Sequence, residues 1–303
     1  MLRYSLTLLP GGIKAGEIPH DTYEKLESAR EFILLALSLE EKLDLLIENY
    51  VEYEKEVLQS ALARTLRAGD DWSDRRMNLQ SVNRRVANVL SAARLYLDQI
   101  KHDVSSMFGA KSTEAQALKD KISCEYDASL PYRAMELLRN HVQHRSLPIT
   151  RIESSNELEE IDDEDRWRHV TVPRIDRNLV QANGKLKKSV VDEILALSDD
   201  PDVTQYLRAY LECIYRIHDR LRDLYRHKLA QAEQTIEALW LETEVKMNVT
   251  VDVIMVIVYE NGKRLSPLRV TREASEHIKR LKTRNDSAVD VSRSYVASRR
   301  GTA

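Results

Sequence analysis

The sequence predicts a mainly α-helical fold: an antiparallel helical bundle, then a long C-terminal helix with a small β-hairpin elaboration. Three observations predict it. Only 8 Gly and 7 Pro occur in 303 residues, too few for the tight turns of an all-β chain. Four amphipathic stretches follow one another, with short breaks, as far as Pro148. Beyond residue 200 a heptad-spaced run is succeeded by β-branched residues around an Asn-Gly pair.

The elements can be justified in order. MLRYSLTLLPGG opens with a short strand and lacks the charged start, long apolar core and cleavage pattern of a secretory signal. The first helix runs through ESAREFILLALSLEEKLDLLIENYVEYEKEVLQSALART, where Phe32, Leu35, Leu39, Leu43, Leu46, Tyr50, Tyr53 and Val57 recur at steps of three and four. RAGDDWSD breaks it. LQSVNRRVANVLSAARLYLDQIKHDVSSMF is the second helix, striped by Val82, Val86, Val89 or Leu90, Ala93, Leu97, Ile100 and Val104, and it ends at Gly109. A third helix starts near Ser112. SLPYRAMELLRNHVQH is the fourth, with Ser129 as cap and Pro131 in its first turn.

Residues 1–150 therefore form the predicted bundle. Residues 151–200 read as an acidic connector: ESSNELEEIDDEDR as a solvated helix or loose linker, RHVTVPRID as a short strand whose Pro173 favours an edge, and KLKKSVVDEILAL as a short helix. Residues 201–303 hold the long heptad helix, the hairpin and a basic tail. Val203, Leu207, Tyr210, Ile214, Ile217, Leu221 and Leu224 form the seam, continued after a phase shift by Ala232, Ile236 and Leu239. A helix spanning the bundle and a dimerising coiled coil both fit that seam. Val249, Val251, Val253, Met255 and Ile257 are the expected apolar face of the hairpin, and Asn261-Gly262 its turn. REASEHIKRLKTRND is a short basic helix, and the last fifteen or so residues read as mobile.

Composition narrows the function. With 43% hydrophobic and 31% charged residues, the chain reads as soluble and globular. No apolar run is long enough for a bilayer, so no membrane partner is expected and the location reads as cytoplasmic. The net charge of -3 gives no global attraction to nucleic acid, so such binding needs a local patch. Cys124 and Cys213 stand in no metal or redox spacing, and no glycine-rich phosphate loop occurs.

The stretch with the richest chemistry is LLRNHVQHRSLPI, Leu137 to Ile149. On a helix Glu136, Asn140 and His144 share a face, while Arg139 lies about 100° from Asn140. Pro148 ends the helix near His144 or Ser146, where the dipole favours a protonated imidazole. From spacing alone, the ordinary reading is the polar side of an amphipathic helix. The chemical reading is phosphodiester transfer: His moves protons and Arg neutralises phosphate oxygens. No nearby Cys or placed carboxylate joins His141 and His144 into a metal site, so neither metal nor cofactor is expected.

Residues 139–144, RNHVQH, match the Arg-Asn-x-x-x-His form of the motif of the HEPN family, and about residues 25–150 resemble that family's helical bundle. The resemblance implies a metal-independent endoribonuclease that uses the RNA 2′-OH, in a toxin–antitoxin or phage-defence setting. It implies Arg139 on the scissile phosphate, Asn140 positioning the site and His144 as acid–base residue. It also implies a homodimer whose two motifs face each other, which lets Arg139 meet the partner's motif. Glu136 and His141 are the supporting residues beside them. An antitoxin or other defence-system protein is an implied partner. Candidate RNA contacts are Arg145 and the cluster Arg75, Arg76, Arg84 and Arg85; such charge runs are more often solvated faces. The rival readings are a non-catalytic helical scaffold or RNA-binding protein that dimerises through residues 203–239, and a nucleotide-binding regulator.

Overall fold

The computed structural model describes residues 2–66, 71–144, 149–161, 164–181, 187–265 and 267–294. Strands β1 (Leu2–Leu9) and β2 (Ile13–Ile18) lead into α1 (His20–Leu66), α2 (Trp72–Phe108), α3 (Thr113–Ala128) and α4 (Leu130–His144). A hairpin of β3 (Ile149–Ile161) and β4 (Glu164–Ile175) follows, then short helices α5 (Arg177–Gln181) and α6 (Lys188–Leu195). The long α7 (Val203–Met247) precedes β5 (Val253–Glu260), β6 (Lys263–Arg264), β7 (Leu268–Val270), α8 (Glu273–Asn285) and a 3-10 turn, Asp286–Arg293. The fold is mainly helical with a small antiparallel sheet, as the composition implied.

Two compact units divide the chain, and neither is continuous in sequence. One comprises residues 1–42, 103–114 and 220–285; the other comprises 43–102, 115–219 and 286–303. Expected boundaries at 150 and 200 followed chain order. The observed units do not, because α1, α2 and α7 each contribute residues to both. At 47, 37 and 45 residues, these helices far exceed the three or four turns of an average globular helix.

The first unit is built on a five-stranded sheet of order β2-β1-β5-β6, with β7 also paired to β5. Alternation in β1 turns Tyr4, Leu6 and Leu8 inward, opposite Val258, Val256 and Ile254 of β5. These are the cross-strand pairs that give a sheet its packed face. The hairpin therefore presents Ile254, Val256 and Val258 inward, not the expected Val253, Met255 and Ile257, which are half-exposed. The expected turn does form: Asn261 and Gly262 both have positive φ, 50° and 81°, as a two-residue hairpin requires. The inward line of α1 here is Leu26, Ala29, Ile33 and Ala36, with the expected Phe32 and Leu35 only half-buried.

That inward line continues into a charge. Glu40 is 0% exposed and accepts both Arg222 Nε and an Arg222 terminal nitrogen, at 2.9 and 2.7 Å. Tyr225 donates to the same carboxylate at 2.6 Å. Lys282 of α8 lies 5.2 Å from the centre of the Tyr225 ring, and burial pulls its ammonium below the ordinary lysine value. Trp240 closes this core from α7, donating to the Val251 carbonyl at 3.1 Å.

The second unit is helical apart from the β3–β4 hairpin. Leu43, Leu46, Tyr50, Tyr53 and Val57 of α1 and the expected stripe of α2 are buried. So are Leu207, Tyr210, Ile214 and Ile217 of the heptad seam. The chain's own cores take up that seam, which leaves it unavailable for a dimerising coiled coil. Polar bonds tie the helices to α7: Tyr53 to Thr204 at 2.8 Å, Arg208 to Glu54 at 2.7 Å and Tyr96 to His218 at 2.8 Å. Arg216 grips the buried Glu125 of α3 at 2.8 and 3.0 Å, and Lys121 adds a third bond. Of the tail expected to be mobile, the part as far as Ser294 is anchored instead: Glu212 accepts from the Ser292 amide and Arg208 reaches the Ser294 carbonyl, while Tyr215 donates to Asp286 just before it.

The acidic connector is a strand, not a helix or linker. Its apolar residues Ile149, Ile152, Leu158 and Ile161 are spaced by multiples of three, which mimics a helical period. Opposite charges meet across part of the ribbon: Arg174 bonds Glu153 at 2.7 Å and Arg168 bonds Glu159 at 2.9 Å. Pro173 sits in a two-stranded ribbon, where both strands are edges.

Two outcomes follow. Glu40→Gln strands a buried guanidinium and should destabilise the chain by on the order of 3–5 kcal/mol, whereas Glu40→Met with Arg222→Leu should lose far less; urea unfolding compares them. At Glu125, burial would raise the carboxyl, but the bonds from Arg216 and Lys121 outweigh it and hold the group below the usual 4.5. A depressed folded value stabilises above the unfolded value and is lost as pH falls through the folded one. The stability gap between wild type and Glu125→Gln should therefore be full at pH 7 and shrink on acidification below about pH 4.

Candidate functional site

Helix α4 forms for reasons visible in its first turn. Ser129 Oγ accepts the Tyr132 amide at 3.2 Å as an N-cap, and Pro131 occupies an early position where a missing donor costs little. Tyr132, Met135, Leu138 and then His141 turn into the core at steps of three, with Ala134 and Leu137 beside them. His141 is thereby a packed residue.

The opposite side carries the motif. Asn140 is exposed and Arg139 half-buried; neither is packed into the core. Arg139 spans the 100° step, donating to Asn140 Oδ1 at 2.6 Å. That bond occupies one lone pair of the amide oxygen and leaves the NH2 as a donor. The Arg139 Nε is itself buried and has no partner among the described residues. An exposed amide NH2 thus stands beside a half-buried guanidinium charge, a combination that suits an anion. His144 is the last residue of α4, one turn beyond Asn140 on the same side of the backbone. Its side chain lies outside the described residues, as do Arg145 and Pro148.

The supporting carboxylate is engaged elsewhere. Glu136 accepts Tyr210 Oη at 2.5 Å and faces Arg94 at 3.8 Å. Burial, then the Glu136 charge, hold the Tyr210 phenol well above its usual value, so Tyr210 is a permanent donor. Glu136 therefore joins α4 to α7 and α2. Arg133 is likewise structural: it bonds the Tyr126 and Asp127 carbonyls at the end of α3, at 3.0 and 2.6 Å, and Glu193 of α6 at 2.5 Å.

Of the basic cluster on α2, Arg75, Arg76 and Arg84 are exposed. Arg85 pairs with Glu52 and Glu56 of α1 at 3.4 and 3.5 Å, which removes it from the free charges. Between them lies the residue that sequence reasoning passed over. Asn83, 1% exposed, donates to the Ile149 carbonyl at 2.8 Å and accepts the Ile149 amide at 3.0 Å. One amide side chain thus satisfies both backbone groups at the first residue of β3. It fixes where the chain re-enters the core after the motif. A buried Asn at a helical core position is a signal of such a clamp, but its partner cannot be read from spacing.

No protein-family model, no curated protein and no solved structure matches the chain. Among the described residues, no helix is long and apolar enough to cross a membrane.

Asn83→Ala should cost about 2–3 kcal/mol, because it orphans a buried amide and carbonyl together. Hydrogen exchange at the Ile149 amide should quicken by at least about tenfold, while Thr283→Ala, in the other unit, leaves it unchanged.

Proposed function

We propose that the chain is a metal-independent endoribonuclease of HEPN type, acting as a homodimer on RNA. The observation that carries this reading is the Arg139–Asn140 pair, a half-buried guanidinium bonded to an exposed amide, one turn before His144. Such a surface receives a phosphodiester: Arg139 neutralises the non-bridging oxygens and the Asn140 NH2 orients the group. His144 handles protons. The 2′-OH gives up its proton and attacks phosphorus, the P–O5′ bond breaks, and the leaving 5′ oxygen takes a proton. The products are a 2′,3′-cyclic phosphate and a 5′-OH. Removing one proton and delivering another requires two groups, and a facing pair of His144 residues supplies both. Arg75, Arg76, Arg84 and Arg145 are the proposed contacts to the flanking backbone. The setting, with an antitoxin or other defence-system protein as partner, is part of the same proposal.

The test is incubation of the protein with single-stranded and structured RNA in EDTA, followed by analysis of the ends. Wild type should give 2′,3′-cyclic phosphate and 5′-OH termini. His144→Ala and Arg139→Ala should lose about 100-fold or more. A 2′-deoxy substitution at the scissile nucleotide should block cleavage. Equal cleavage by His144→Ala would reject this mechanism. Binding without cleavage by any form would favour the scaffold or RNA-binding reading.

A further inference from the structure

The sheet-containing unit carries a cleft of about 340 Å³ between α1, α7 and α8, at the small end of ligand sites. Its floor is aliphatic: Ile33, Leu34 and Leu37 of α1, Ile236 of α7. Leu34 is 39% exposed there, an apolar surface left uncovered on a core helix. Among the described residues no Phe, Tyr or Trp lines the cleft, so it lacks the broad rings on which bases stack.

The rim is polar and cationic. Arg269 is matched by Glu273 at 3.2 Å. Arg30 has neither ion-pair nor hydrogen-bond partner among the described residues, and His277 likewise has none; both line the opening. The Thr271 hydroxyl lies on the same rim. One unmatched guanidinium with two auxiliary polar groups suits one negative charge. A dianionic phosphate would call for more cationic donors.

We infer that this cleft binds a small monoanion with an unbranched aliphatic tail, a medium-chain carboxylate, with its head on Arg30 and its tail over Leu34, Leu37 and Ile236. The inference is independent of the reading of α4: no cleft residue belongs to the motif, and binding is measured without RNA. Each buried methylene of the tail contributes about 0.8 kcal/mol, so affinity grows with chain length until the cleft is full.

Calorimetry on the full chain with octanoate, octan-1-ol, octylamine and acetate tests it. Octanoate should bind at one site, with octan-1-ol about tenfold weaker and octylamine and acetate weaker still. Arg30→Gln should abolish the preference for octanoate over octan-1-ol. Ala274→Leu, which fills the cleft from α8, should prevent both from binding. Thermal melts of both variants should match wild type. Equal affinity for octanoate and octylamine, or octanoate binding undiminished in Arg30→Gln and Ala274→Leu alike, would overturn the inference.

Discussion

The contact between Glu40 and Arg222 governs how α1 and α7 can sit in their shared core. Both helices offer long apolar lines at steps of three and four, and such lines tolerate a slide of one turn with little loss of burial. A buried carboxylate bonded twice by one guanidinium tolerates no slide. Moving either helix by a turn leaves an uncompensated charge away from water, a penalty no apolar contact there offsets. Tyr225 adds a third bond to the same carboxylate, so its lone pairs are met. Arg208 with Glu54, and Arg216 with Glu125, repeat the device elsewhere along α7. Apolar area drives the association of these helices, and the charge pairs set its register.

That division of labour explains what could be read in advance. Periodicity located α1, α2, α4 and α7 because their inward faces are largely aliphatic. It misplaced the first turns of the α1 stripe, since Phe32 and Ile33 are equally apolar and only the neighbouring sheet decides between them. The β3 strand was missed for a related reason. Its inward residues are few, it is held by a backbone ladder with β4 that leaves no local period, and a spacing of three in its isoleucines and leucine imitates a helix. The two units were not legible at all, because their residues come together only in space.

The candidate site divides along the same line. Its position at the end of α4 and the identity of Arg139, Asn140 and His144 came from a short motif beside a proline. The bond from Arg139 to Asn140, the diversion of Glu136 to Tyr210, and the role of Asn83 required coordinates. In each case the missing information was a partner more than fifty residues away or a rotamer choice, and neither leaves a trace in local spacing. The outcome is an exposed amide beside a half-buried guanidinium, with the carboxylate of Glu136 engaged by Tyr210 and Arg94 on other helices.

The pairing of β1 bears on how the chain comes to be folded during synthesis. Leu2 lies opposite Glu260 and Leu9 opposite Val253, so β1 emerges roughly 250 residues before its inner neighbour. Until then only β2 is present to pair with it, and a lone two-stranded ribbon is marginal in water. Tyr4, Leu6 and Leu8 stay uncovered for most of translation. The helices between residues 43 and 219 are complete long before β5 leaves the ribosome. The sheet thus closes late, with only α8 and the segment to Ser294 still to follow, and its first strand is where a chaperone or a self-associating neighbour would find this protein before it finishes.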